Sequence, residues 1–377
     1  MPVFLIVFLL LASLVAYLSF VFLRRAAAFG ADVECRRTKL VLWGCACLLG
    51  LGALVAQNFF VPFFLHFFML AALFQLGNFI LKKLARRRYA EGFGFWKKLY
   101  ASCALPLLIT AAALVFGYLN LHNVVATPYT VYTEKPIRVE GYRVIFISDV
   151  HYGVSVDGEE LHRICAEIEK TAPDLVILGG DIIDDETSHS AVHEVFEAFA
   201  SIDSRYGTFF VFGNHDRPMR GLPSEYSGQY TEKELLAVVE ECGITVLRDS
   251  LYTVNGELTL AAREDQHASD RLSINALLSD ADREDFLLTI DHQPTDYAQN
   301  GIAGTDLLLS GHTHGGQFFP LNLFMELFGI NDAVYGVTEI DADTTAIVSS
   351  GFACWGYPFK TAAPAEYLVI DILPSID

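Results

Sequence analysis

In the second half of the chain, five short blocks set metal-binding side chains just past apolar, strand-like runs. They are Asp149-Val150-His151, Gly179-Gly180-Asp181, Gly213-Asn214-His215-Asp216, His292, and Gly311-His312-Thr313-His314. Together they supply enough donors for two adjacent divalent metals. Phosphate ester hydrolysis has a use for such a pair: one ion activates the attacking water, and both neutralise charge growing on the phosphoryl oxygens.

Each block read alone has a plainer meaning. Asp149, Asp181 and Asp216 are residue types favoured in turns and at helix caps. His292, following the apolar run Phe286 to Ile290 and Asp291, could be a satisfied core histidine. The ordered set of five shifts the weight toward ligands. His66, His122, His162, His189, His193 and His267 have no such companions and read as solvated, packing or lipid-interface residues.

The block order, Asp-x-His, Gly-Asp, Gly-Asn-His-Asp, lone His and Gly-His-x-His, resembles the calcineurin-like metallophosphoesterase superfamily over Tyr142 to Ile372. The resemblance implies one metal held by Asp149, His151, Asp181 and His314, and a second held by Asp181, Asn214, His292 and His312. The shared Asp181 suits a bridge, because a carboxylate can hold two cations about 3.5–4 Å apart. The mix of imidazoles, carboxylates and one amide oxygen suits Mn, Fe, Zn or Co better than Ca or Mg. The resemblance puts His215 over the phosphate as transition-state stabiliser and general acid, with Asp216 orienting it or stabilising its charge.

Two stretches, Gly311–Pro320 and Ser349–Pro358, resemble the membrane-linked branch of that family, with glycines that let backbone approach a metal or substrate closely or that serve turn chemistry alone. Ala261 to Asp265 with Arg271 resembles a Gly-Arg-x-Asp segment, although Ala262 stands where glycine is common. Either Arg263 or Arg271 could grip a phosphate.

The elements that must position these blocks read as alternating strands and helices. Strands at Arg143–Ile147, Leu175–Leu178 and Thr208–Phe212 deliver Asp149, Asp181 and Asn214; helical patterns intervene at Glu159–Lys170 and His189–Ala200. Further strands are expected at Tyr129–Tyr132, Leu251–Val254, Leu258–Ala262, Phe286–Ile290, Asp306–Leu309, Thr345–Ser349 and Tyr367–Ile372. The alternation indicates an α/β fold with ligands at the carboxyl ends of strands. So many strands exceed one compact parallel sheet, and the resemblance implies a four-layer α/β/β/α sandwich over residues 142–377, reached through a linker and edge strand at 121–141.

Residues 1–120 are a different polymer. Four apolar runs, Val3–Leu23, Leu40–Gln57, Phe59–Leu81 and Leu99–Leu119, approach the roughly 20 residues needed to cross a bilayer as helix, so an all-α four-helix transmembrane region is expected. The first is read as a retained span rather than a signal peptide, since no basic residue precedes it and Arg24 and Arg25 follow. Basic residues collect between the first and second runs (Arg24, Arg25, Arg36, Arg37, Lys39) and between the third and fourth (Lys82, Lys83, Arg86, Arg87, Arg88, Lys97, Lys98). The positive-inside rule then makes a multi-pass protein of the cytoplasmic membrane, with an uncharged outward turn at Gln57-Asn58-Phe59 and an extracytoplasmic catalytic domain.

The chain carries 45 acidic against 26 basic residues, for a net charge of −19. With the basic clusters confined to membrane edges, the acidic remainder repels polyanions, so nucleic acid is not expected as a partner. Cys45, Cys47 and Cys103 fall in apolar runs, while Cys165, Cys242 and Cys354 could form at most one disulfide.

The sequence therefore points to a metal-dependent phosphoesterase acting outside the cytoplasmic membrane on a lipid-linked, cell-envelope or small soluble ester. The alternative is a membrane sensor or scaffold whose outer domain binds metal or phosphate without turnover. Transport by the helices has little support, because no apolar run contains a central charge. The apolar segment Phe318–Ile330, just after His314, reads either as a buried core flap or as a lipid contact.

Overall fold

The computed structural model describes residues 2–28, 30–55, 57–86, 92, 94–184, 187–217 and 231–375; side chains of 2–11, 54, 57 and 58 lie outside that description. The chain divides into two compact units, Met1–Gly117 and Tyr118–Asp377.

The first unit is helical: α1 Pro2–Ala27, α2 Arg36–Val55, α3 Gln57–Leu84, α4 Gly94–Ser102, and α5 from Ala104 to Leu121, whose last turn belongs to the second unit. Among the described residues, Phe59–Leu84 and Ala104–Leu121 are long and apolar enough to cross a membrane. The expected spans Val3–Leu23 and Leu40–Gln57 extend into residues outside that description. The fourth run differs from expectation. It breaks at Cys103, whose φ is 56°, into α4 and α5. Pro106 explains the break: without an N–H, and with a ring that clashes with the preceding turn, it fits the first turn of α5 but not the interior of a helix begun at Leu99. Residues 57–59, expected as an outward turn, lie within α3, which begins at Gln57.

The second unit is built on two six-stranded sheets. Its strands are β1 Val125–Thr133, β2 Tyr142–Ile147, β3 Leu175–Leu178, β4 Thr208–Phe210, β5 Thr245–Val246, β6 Ser250–Val254, β7 Leu258–Ala262, β8 Phe286–Ile290, β9 Leu307–Ser310, β10 Gly336–Glu339, β11 Thr345–Val348 and β12 Glu366–Pro374. One sheet runs β1-β12-β2-β3-β4-β5 and the other β10-β11-β9-β8-β7-β6. The ligand-bearing strands β2, β3 and β4 are mutually parallel, as are β7, β8 and β9.

Side-chain alternation explains the layering, because successive residues of a strand point to opposite faces. Tyr142, Val144 and Phe146 of β2, with Leu175 and Ile177 of β3, enter one core with Leu258 and Leu260 of β7 and Phe286, Leu288 and Ile290 of β8, so the two sheets pack face to face. The alternate residues Ile145, Ile147, Val176 and Leu178 face outward onto helices α6 Gly158–Glu169, α7 His189–Ala200 and α8 Glu232–Glu241. On the second sheet Ala261 and Leu287 meet Ile274 and Leu277 of α9 (Ile274–Leu277) and Ala303 of α10 (Tyr297–Ala303). Strands buried on both faces read as continuous apolar runs, which is why their limits were legible. The seven cysteines are free thiols.

Candidate metal centre

All five blocks converge at the carboxyl ends of β2, β3, β4, β8 and β9, where parallel strands leave a crevice. Chain direction reverses sharply there. Asp149, His151, Asp181, His312 and His314 have φ of 56°, 42°, 54°, 70° and 51°, in the left-handed region that Asp and His enter more readily than most residues. Backbone strain of this kind collects at functional sites. Main-chain bonds hold the turns together: Asp149 N–H donates to Gly180 O at 2.9 Å, Val150 N–H to Asp181 O at 2.8 Å, and Gly311 N–H to His292 O at 2.9 Å.

Two glycines make the approach close enough. A Cβ on Gly213 would collide with the Asp181 carboxylate, and one on Gly311 with the Asp149 carboxylate. Any side chain at either position would push apart the turns that bring the donors together.

The donors form overlapping groups. Asp149, His151 and His314 offer ligand atoms all within 4.8 Å of one another; so do Asp181, His292 and His312, and so do His151, Asp184 and His215. His292 Nδ1 lies 2.8 Å from Gly179 O, which can only accept, so Nδ1 carries a proton and Nε2 is turned toward Asp181 Oδ2, 3.1 Å away. His151 Nδ1 likewise donates to Asp184 Oδ2 at 3.0 Å. Its Nε2 lies 3.2 Å from His314 Nε2 and 3.8 Å from Asp181 Oδ2. Imidazole nitrogens and a carboxylate oxygen converging on one buried space form an arrangement suited to a cation.

Polar atoms without partners carry the same message. Asn214 Oδ1, His292 Nε2 and His314 Nδ1 are buried and have no hydrogen-bond partner. A buried acceptor left unmatched costs about 1–3 kcal/mol, and Asn214 Oδ1 and His292 Nε2 are both donors named for the second metal. The residues present therefore fit divalent ions.

Electrostatics divides the imidazoles. Burial disfavours charge on His292 and His151, but Asp181 and Asp149, with Asp184 beside His151, outweigh it and raise both. Burial drives His314 down to about 3 and also lowers His312, which His292 depresses further. Asp181 is held well below the usual carboxylate range: burial opposes its charge, and the surrounding imidazoles, His292 first, overcome it.

The raised proton affinity of His292 and His151 means that an incoming ion competes with protons for these two rings. Affinity should rise with pH through the neutral range. Calorimetric titration with Mn in two buffers of different ionisation enthalpy should give different heats, reporting proton release. Equal heats would mean the donors were already unprotonated.

Asp216 corrects the sequence reading. Its Oδ2 accepts from Asp181 N (2.7 Å) and Gly213 N (2.8 Å), and its Oδ1 from Ile182 N (2.9 Å) and Ile183 N (3.2 Å). The carboxylate clamps the Asp181 turn to the Gly213 turn; it does not orient the His215 ring. Burial and the charge of Asp181 nevertheless push it up to about 7, against those N–H donors. His215 is half-exposed at the mouth, its ring 5.1 Å from His151 and 5.5 Å from Trp355, and its backbone N–H donates to Asp181 Oδ1 at 2.7 Å. Arg263 and Arg271 are not free to grip a phosphate. Arg263 is committed to Asp291, Asp296 and Leu272 O, and Arg271 to Asp291, so both brace the residue before His292.

Sequence reasoning missed two contributors. Asp184 fixes the His151 tautomer, and Lys360, fully buried, donates to the carbonyls of Ser350, Gly351 (2.9 Å) and Ala353 (3.1 Å). Burial pushes Lys360 down to about 8, although Asp149 and Glu366 favour its charge. Its loop carries Gly351, whose missing side chain leaves room for Asp149.

This geometry agrees with the match of the calcineurin-like phosphoesterase family model to residues 142–316. The chain carries a calcineurin-like phosphoesterase domain. A transmembrane protein with metallophosphoesterase domain from Danio rerio is 28% identical over 357 residues, covering 90% of this chain and 74% of its own length. A metallophosphoesterase of Campylobacter jejuni is 28% identical over 275 residues, covering 71% of this chain and 69% of its own. The first alignment is too long to be confined to the phosphoesterase domain, and with the two apolar helices it associates this metal-dependent phosphoesterase with a membrane.

Proposed function

We propose that the chain hydrolyses a phosphate monoester or diester with two divalent ions, Mn, Fe, Zn or Co, at the outer face of the cytoplasmic membrane, on a lipid-linked or cell-envelope substrate. The observation that carries this reading is the shared carboxylate. Asp181 turns Oδ2 toward both His292 and His151, so each group of donors reaches it from its own side.

Asp149, His151, Asp181 and His314 would hold one ion, and Asp181, Asn214, His292 and His312 the other. Ions bound there supply Lewis acidity toward phosphoryl oxygens and lower the pKa of water at the site. The protein's own part is positional. Asp184 and Gly179 O fix the tautomers of His151 and His292, and Asp216 ties the Asp181 turn to the Gly213 turn. His215, at the mouth, donates a proton to the departing ester oxygen. The outward orientation is supported by the basic clusters between the apolar runs.

Full-length protein with Mn, assayed on aryl monoester, aryl diester and lipid pyrophosphate, should turn over at least one of them. Reporters fused after Asn120 or at Asp377 should respond as extracytoplasmic, and those near Arg37 or Arg87 as cytoplasmic. No turnover on any ester with both ions bound would favour a sensor or scaffold. Cytoplasmic activity at Asp377 would reverse the compartment.

A further inference from the structure

Phe318 is buried, but from Phe319 onward the segment after the Gly-His-x-His block is not a buried flap. Helix α11, Leu321–Phe328, has no buried residue. Its polarity is inverted. Asn322 turns inward against Gly316, with its Oδ1 buried and lacking a hydrogen-bond partner, while Leu323, Phe324, Leu327 and Phe328 point out, the last two 75% and 71% exposed. Phe319 and Ile330, also exposed, extend the patch at either end. A helix resting on a protein in water does the reverse, covering its apolar stripe and solvating its polar one.

Two contact paths within the second unit locate this patch. The first leads to the membrane helix. Asn120, in the last turn of the apolar helix α5, donates to Lys360 O and Ala363 O, both at 2.8 Å, and Thr361 between them accepts from Phe319 N at 3.0 Å. The helix therefore starts beside the point where the chain leaves its apolar span. The second path leads to the metal centre. Gln317 pairs with the backbone of Trp355 (3.1 and 3.2 Å), whose half-exposed indole lies 5.5 Å from His215.

We infer that the outward face of α11 is a lipid-contacting surface, seated at the headgroup–acyl boundary of the bilayer that carries the chain. An interfacial helix buries its apolar face about 5–10 Å into that boundary. α11 carries Glu326 and no lysine or arginine, so apolar insertion rather than attraction to anionic lipid holds it. Seated there, it brings the mouth at His215 and Trp355 to the level of lipid headgroups.

The test uses the full chain in phosphatidylcholine nanodiscs, with p-benzoylphenylalanine replacing Phe328 and, separately, Leu327. The control replaces Glu240, exposed on α8. After irradiation, mass spectrometry should find phosphatidylcholine adducts at 327 and 328 in at least tenfold the yield at 240. Equal yields, or adducts to a second copy of the chain in place of lipid, would overturn the inference. The readout does not depend on turnover. Lipid adducts on a chain that hydrolyses no ester would remove the proposed function and leave this surface standing; turnover without adducts would do the opposite.

Discussion

Asp181→Ala is expected to bring turnover of every phosphate ester down to the uncatalysed rate and to strip the chain of ions. The carboxylate faces His292 and His151 through one oxygen and accepts the His215 N–H through the other, so its loss removes the anion common to both donor groups. It would also leave His292 and His151 as buried imidazoles deprived of a counter-charge, which lowers their proton affinity and exposes the cost of burying any cation there. Asp181→Asn keeps the shape and an acceptor for the His215 N–H but not the charge. It should retain the fold and still lose most metal, measured as ions per chain after gel filtration. An alanine variant with two ions and normal turnover would remove Asp181 from the bridging position.

His215→Ala should separate chemistry from metal binding. The bond from residue 215 to Asp181 is made by the backbone, so alanine preserves it, and metal content should stay near normal. Loss of a general acid costs about 10²-fold or more. The loss should be largest for alkyl esters, whose leaving oxygen needs a proton, and smaller for nitrophenyl esters, whose leaving group departs as a stable anion. Equal losses across leaving groups, or departure of the ions, would show that the ring holds the site together instead.

The framework was legible because its strands are buried on both faces. β3, β7 and β8 coincide with their expected limits, since every residue in them is buried and apolar residues dominate, with one threonine each in β7 and β8. β5, two residues long, and β10, an edge strand with no buried residue, carry no comparable signal. Helix α8 carries a local signal in the Thr231-x-x-Glu234 capping box, which the structure forms in full.

The candidate donors were legible as blocks, but their convergence depends on left-handed φ at five of them, which residue type permits and does not dictate. An orienting contact of Asp216 on His215 does not follow from their adjacency in sequence. At a reversal of chain direction neighbours diverge, and the Asp216 carboxylate turned to the N–H groups of 181–183 and 213. Asp184 and Lys360 stand in no motif. Only the fold shows that one meets His151 and the other meets three carbonyls of the loop beside Asp149. The apolar segment at 318–330 had two readings from sequence, and the inward Asn322 with outward Leu327 and Phe328 decides against a core flap.

The central claim is that a pair of ions sharing Asp181 does the hydrolysis, and stoichiometric metal titration of the full-length metal-free chain tests it most directly. Turnover of an aryl phosphate ester should rise with added Mn and level off at two ions per chain, with little rate at one. Full activity at one ion per chain, or turnover that survives removal of all metal by a chelator, would contradict it.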